Sequence, residues 1–250
     1  MHSSADADHH RAVFTLAGEP GRLAEAVAAG ALAAAERIDV MHHDGEHPRV
    51  GAIDVAPIVY LDRADRGAAC AEALILADRL GAAGLPVLLY GELAGGRTRA
   101  ELRRGGPAVL AERLARGELA TDAGPSAAHP TAGVVLVAAR PPLAAFNLEL
   151  APPATLDDAR AIAARIREGG EEGLPGLRAL GLRLERAGVI QVSTNVEDLE
   201  RVRPADVLAA VARHAPVQRA ELIAPALRVA WEGWPEDVRL DSPPPLEQLL

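Results

Sequence analysis

The chain has 250 residues, with 26 basic and 35 acidic side chains and a formal net charge of −9. Every basic residue is arginine, and the absence of lysine excludes Schiff-base chemistry, a pyridoxal phosphate anchor and a phosphate-loop lysine. Arginine stays protonated, so histidine is the one basic side chain able to act as a proton-transfer base, and the negative charge argues against nucleic-acid and anionic-membrane partners.

Hydrophobic residues make up 49% and aromatics only 2%, so the core is built from Ala, Val, Leu and Ile. The single cysteine, Cys70, rules out an internal disulfide framework and fits a reducing cytoplasm. No uninterrupted apolar stretch approaches the ~20 residues of a membrane span. The start, Met1-His2-Ser3-Ser4-Ala5-Asp6, is polar and acidic, unlike a signal peptide.

In chain order, residues 12–17 read as a strand, and Pro20 opens an alanine-rich helix to about Ile38. A polar loop, residues 41–49, precedes a strand near 52–61, a helix near 66–81 and a strand at 87–90. Residues 97–118 are helical and charged, broken by Gly105-Gly106-Pro107, and a Gly/Pro/Ser-rich loop covers 121–133. The second half is more regular. It reads as a strand at 146–150, a helix from the N-cap Thr155 to about Glu168, strands at 179–184 and 189–196, a helix from Pro204 to about His214, and a strand at 220–223. That order, βαββαβ, is the split βαβ plait. The first half gives βαβαβ without a leading βα. We expect an α+β fold of two similar subdomains, residues 1–140 and 141–228, joined where Arg140-Pro141-Pro142 interrupts an apolar run, with residues 229–250 as an extension.

Five of the eight histidines lie within residues 9–47. Three readings apply. His2, His42 and His43 read as exposed loop residues. His42, His43 and His47 as metal ligands match no zinc spacing. One histidine as a general base suits proton removal from an attacking amine. Gly45-Glu46-His47-Pro48-Arg49 favours His47: the glycine permits a tight turn, Pro48 extends His47, and Arg49 offers a two-pronged carboxylate ligand.

The block Gly45-Glu46-His47-Pro48-Arg49-Val50-Gly51-Ala52-Ile53-Asp54-Val55 resembles the GEHPRxGAxDV signature of the formiminotransferase family. Asp8-His9-His10-Arg11-Ala12-Val13 resembles its DHNRxV, Leu89-Tyr90-Gly91-Glu92 its LYGE, and Asp122-Ala123-Gly124-Pro125 its DFGP. Ala145-Phe146-Asn147, Gly173-Leu174-Pro175-Gly176 and Ile190-Gln191-Val192-Ser193-Thr194-Asn195 resemble AFN, GLPG and AQVSxN. The matches keep the family order over about residues 6–223.

The resemblance implies two ferredoxin-like subdomains packed side by side with a substrate cleft, in a cytoplasmic homodimer. It implies transfer of a formimidoyl group from N-formimino-L-glutamate to N5 of tetrahydrofolate as co-substrate, without a metal. His47 corresponds to the family's catalytic histidine, with Asp6 or Asp8 as its candidate carboxylate. Arg11, Arg49 and Arg140 are candidate carboxylate clamps. The family's folate loop falls at residues 124–133, with Gly124, Pro125, Ser126, His129 and Gly133, and Asn147 and Asn195 are candidate pterin or glutamate ligands. The sequence also departs from the family. Members carry a further βα unit before DHNR, so we expect either that the true start lies upstream of Met1 or that this is a short form; an intact native mass of 26.0 kDa would exclude the first. His10 replaces the asparagine of DHNR, Ala123 the phenylalanine of DFGP, and Pro141-Pro142 follows Arg140. A weakly active or inactive homologue that binds a folate or an acidic metabolite, or an interaction subunit, is the alternative. ATP-dependent handling of 5-formyltetrahydrofolate is a third reading, disfavoured by the missing lysine and phosphate loop.

Overall fold

The computed structural model describes all residues except Asp44 and Glu46, so Glu46 of the GEHPR block lies outside the described residues. The chain forms two compact units, one of Met1–Ala17 with Pro142–Leu250 and the other Gly18–Pro141.

Strand β1 (His2–Asp6) pairs antiparallel with β2 (Arg11–Thr15), from His2 opposite Thr15 to Asp6 opposite Arg11. The polar start therefore forms a strand, where its composition suggested none. Its partner is the adjacent segment, and the turn is closed by His10 at a left-handed φ of 52°.

The Gly18–Pro141 unit opens with α1 (Leu23–Ala35), followed by β3 (Val55–Val59), α2 (Arg66–Ala82) and β4 (Val87–Leu89). Two short helices, α3 (Arg99–Arg103) and α4 (Gly106–Ala115), separate β4 from β5 (Val135–Arg140). The sheet is parallel, in the order β3-β5-β4. Strand β5 is central, and residues 135–139 are buried on both faces. A central parallel strand reads as a continuous apolar run rather than an alternation. One face packs on α1 and α2 through small residues such as Ala24, Ala28, Ala73 and Ala77. The other packs on Leu102, Leu110 and Leu114 of α3 and α4. The α1 N-terminus has no side-chain cap of its own; the buried Glu72 carboxylate on α2 accepts from Gly21 N (2.8 Å) and Ala24 N (2.6 Å).

The other unit runs β6 (Ala144–Leu150), α5 (Leu156–Ile166), β7 (Leu177–Leu184), β8 (Val189–Val196), α6 (Pro204–Ala212), β9 (Val217–Leu222) and β10 (Leu240–Asp241). Thr155 caps α5 in a capping box with Asp158, and Pro204 opens α6, as their sequence positions predict. The sheet order is β10-β9-β6-β8-β7, and the plait strands β6 to β9 pair antiparallel. Such a mixed α+β arrangement is consistent with a ferredoxin-like fold. Strand alternation gives the sheet two unlike faces. Phe146, Leu148, Val192, Val196, Ala220 and Leu222 form the core with Ile162, Ile166, Val207 and Val211 of α5 and α6. The chain after β9 closes one end of this core, with Trp231 and Trp234 edge-on to Phe146 at 5.8 and 6.1 Å between centroids. The opposite face carries Asn147 and Glu149 of β6, Gln191, Ser193 and Asn195 of β8, and Arg219 and Glu221 of β9, in register. The β1–β2 hairpin is tied to this unit by Ser4 Oγ, which donates to Ile223 O at 2.7 Å, and by Asp8, which accepts from Arg186 N at 2.8 Å.

Candidate functional site

The His47 segment belongs to the Gly18–Pro141 unit. His47 is half-buried, and its Nδ1 lies 2.9 Å from the Pro48 carbonyl, which assigns a proton to that nitrogen. Arg49 braces the same loop: its Nη1 donates to the carbonyls of Gly45 (2.5 Å) and His47 (3.3 Å), and its Nη2 to that of His43. Two residues on, the chain is stitched to the end of the loop at 124–133. Gly51 and Gly133 form a bridge, Ala52 N donates to Ala132 O (2.9 Å), and Val134 N to Val50 O (3.0 Å). A Cβ on Gly51 would sit 2.1 Å from Val134 O, and one on Gly133 2.3 Å from Val50 O, so the close approach requires glycine at both positions.

His129 turns the far end of that loop. Its Nδ1 accepts from Ala132 N at 3.0 Å, its backbone exchanges two hydrogen bonds with Gly133, and Nε2 thereby carries the proton of the neutral ring. Gly124, Pro125 and Ser126 are exposed on the same loop. Asp122 fixes its start, accepting from Leu89 N (2.8 Å) and pairing with Arg97. Arg140 ends β5 half-buried. The structure thus brings His47, Arg49, His129 and Gly133 onto adjoining segments of one unit.

The remaining expected residues lie on the other unit. Asp6 does not stand alone there: its Oδ1 accepts from His9 N (2.7 Å) and lies 2.6 Å from His9 Nδ1. Burial alone would raise the Asp6 carboxyl, but the backbone and imidazole hydrogen bonds from His9 outweigh it and hold its pKa below the ordinary carboxylate value. His9 is buried, and its Nε2 meets Gln191 Nε2 at 2.8 Å. Asn147 is 1% exposed and Gln191 0%. Asn195 is half-buried on the same sheet face, and Arg11 is half-buried at the start of β2. Arg219 links Glu149 (2.5 Å) to Asp241 (3.0 Å). Burial, added to by the charges of Asp6 and Glu149, raises the Glu221 carboxyl despite Arg219 and His9. Among the described residues, no group of three or more His, Cys, Asp or Glu side chains is placed to hold a metal ion, and no helix is long and apolar enough to cross a membrane.

Sequence reasoning assigned no role to the side chains of His9, Gln191 or Asp54. All three lie in recognised blocks, but a polar residue at every second strand position, as at Gln191, reads as a solvent face. In the structure Gln191 is buried with His9 of the hairpin against its amide.

The family model for the formiminotransferase domain, N-terminal subdomain, matches residues 1–140. Glutamate formimidoyltransferase of Streptococcus pyogenes serotype M1 is 38% identical over 202 residues, 79% of this chain and 67% of that protein. Formimidoyltransferase-cyclodeaminase of Sus scrofa is 39% identical over 203 residues, 76% of this chain, and that of Gallus gallus 38% over 209 residues, 78% of this chain. The chain spans about two thirds of the streptococcal protein and 37% and 38% of the length of the two animal proteins. It belongs to the formiminotransferase family, a family of transferases.

Proposed function

We propose that the protein transfers a formimidoyl group from N-formimino-L-glutamate to N5 of tetrahydrofolate, giving 5-formimidoyltetrahydrofolate and L-glutamate, a folate-dependent step of histidine degradation. The observation that carries this reading is the braced His47 segment, held by Arg49 and stitched at Gly51 to the loop of residues 124–133 in a chain of this family.

N5 of the reduced pterin attacks the amidine carbon, and the new N–C bond gives a tetrahedral intermediate. His47 takes the N5 proton. The bond to the glutamate nitrogen then breaks, and the proton returns to that nitrogen, so the imidazole ends neutral. Asp6 or Asp8 of the hairpin is the carboxylate assigned to stabilise the charged ring. Arg11, Arg49 and Arg140 are assigned to the carboxylates of glutamate and folate. Gly124, Pro125, Ser126, His129 and Gly133 line the folate side, and Asn147 and Asn195 hydrogen-bond pterin or glutamate. The reading carries with it a cytoplasmic homodimer of two ferredoxin-like subdomains, needing no metal, nucleic acid or membrane.

Purified protein mixed with both substrates forms the 5-formimidoyl product, followed by absorbance. His47→Ala lowers kcat by about 10²–10⁴, the usual contribution of a general base. Equal activity of the two proteins removes His47 from the mechanism. Folate binding without turnover supports instead the binding homologue that the Ala123 and Pro141-Pro142 departures suggest.

A further inference from the structure

The hairpin and the polar sheet face hold two amides whose hydrogen bonding is incomplete. Asn147 Nδ2 and Gln191 Oε1 are both buried and lack a hydrogen-bond partner. A buried unmatched polar atom costs about 1–3 kcal/mol, so two such atoms of opposite sense on one face call for a reason. They sit on neighbouring strands: Asn147 opposes Ser193, and Gln191 opposes Glu149, which makes the two amides diagonal neighbours. Glu149, directly opposite Gln191, is engaged by Arg219.

The sense of the Gln191 amide follows from Asp6. The Asp6 carboxylate accepts from His9, which puts the imidazole proton on Nδ1. Nε2 of the neutral ring is then an acceptor, so Gln191 must present its NH₂ to His9 and turn its carbonyl oxygen away. The oxygen left over is the unmatched acceptor. An Asp–His pair that fixes a tautomer is familiar as a device for orienting an imidazole; here the oriented imidazole in turn orients an amide.

We propose that this face recognises a planar lactam edge, with an N–H donor and a carbonyl acceptor on one carbon. Gln191 Oε1 accepts the ligand N–H, Asn147 Nδ2 donates to its carbonyl oxygen, and Asp6 and His9 are positioning residues that set the direction of the Gln191 amide. The proposal rests on the function above only in naming the carrier of that edge, the lactam of the pterin; the protonated formimino group offers donors alone.

Calorimetry on the full chain with tetrahydrofolate reads this face, with N-formimino-L-glutamate as the comparison ligand. For tetrahydrofolate, Asn147→Leu and Gln191→Leu weaken binding at least about 10-fold, the scale of one lost hydrogen bond. Asn147→Leu also leaves the melting temperature equal or higher, because it removes an unmatched buried donor. Asp6→Ala is the test of positioning. It removes the oxygen that accepts from both His9 N and Nδ1, so the ring proton moves to Nε2, which donates to Gln191 Oε1 and turns the Gln191 NH₂ toward the ligand; Asp6→Asn, whose Oδ1 still accepts from both, keeps the original tautomer. In Asp6→Ala, nitrogen NMR of the labelled histidines then shows the other tautomer at His9, and binding weakens although neither contacting amide has changed. If wild type binds neither substrate, the function above fails. The face is then read directly with free pterin, whose binding is expected to perturb the Asn147 or Gln191 side-chain amide signals. Unchanged binding in Asn147→Leu and Gln191→Leu, an unchanged His9 tautomer in Asp6→Ala, or no amide response to free pterin overturns the proposal.

Discussion

Asp54 and Arg103 form a buried ion pair that closes the segment carrying His47. The Asp54 carboxylate accepts from Val50 N at 3.0 Å and from Arg103 Nε at 3.3 Å, and Arg103 Nη2 reaches its second oxygen, with the two side chains 9% and 12% exposed. A carboxylate that ties its own chain four residues back and a helix 49 residues on determines where the loop can lie. Asp54→Asn keeps an acceptor for Val50 but removes the carboxylate charge that faces Arg103. Removing one partner of a buried pair costs about 3 kcal/mol. Urea unfolding is the measurement, and a loss below about 1 kcal/mol would count against the pair. The double change Asp54→Leu with Arg103→Met recovers part of the loss, because both charges leave together.

The bridge between Gly51 and Gly133 predicts a sharp difference between glycines. Gly51→Ala drives a methyl into the Val134 carbonyl, within a paired backbone that has no room to move. The cost is about 3 kcal/mol or more, which lowers the melting temperature by roughly 6–12 °C in a chain of this size. Gly84 has φ +92° but open space around its Cβ position, so Gly84→Ala meets only the backbone penalty of about 1–2 kcal/mol. Comparable melting curves for the two variants would show that the close approach at Gly51 is not rigid.

These residues mark where the sequence was readable. The second half was legible because each element carried its own punctuation: alternation in residues 189–196, Thr155 and Pro204 at helix starts, and an apolar stripe on α5. Strand β5 was legible only as an apolar run, since a central parallel strand shows no period. Strand β1 was not legible, because HSSAD has neither apolar alternation nor strong strand formers, and only its pairing with β2 makes it a strand. At the site, His47 and Arg49 stood out by motif, whereas the Asp54–Arg103 pair and the His9–Gln191 contact join positions 49 and 182 residues apart. No local pattern announces a partner at that distance.

Glu72 illustrates the same long-range logic in stability. Its carboxylate supplies the cap that α1 lacks, meeting two backbone N–H groups at the positive end of the helix. Glu72→Ala strands both donors and removes the charge, for a loss of about 2 kcal/mol. Glu72→Gln keeps one acceptor oxygen and costs less, about 1 kcal/mol. Equal stability of Glu72→Ala and wild type in denaturant would mean that water caps α1 as well as the carboxylate does.

Glu172 predicts the acid limb of the stability curve. Arg213 Nη2 donates to its Oε2 at 2.7 Å, while His214 (3.1 Å) and Arg165 (3.2 Å) reach Oε1. The Arg213 hydrogen bond, helped by His214 and Arg165 against a small opposing effect of burial, depresses the carboxyl from 4.5 to about 2. A depressed acid favours the folded state when ionised, so its stabilisation is fully present above the unfolded pKa near 4.5 and is lost as the pH falls through about 2. Glu172→Gln therefore unfolds more easily than wild type at neutral pH, and the gap narrows between pH 4.5 and 2 until the two curves meet. The cluster is solvent-accessible, so added salt narrows the gap at neutral pH as well. Urea midpoints at pH 7, 4 and 2, each at low and high ionic strength, test this. A gap that stays constant down to pH 2 would show that the Glu172 charge contributes nothing.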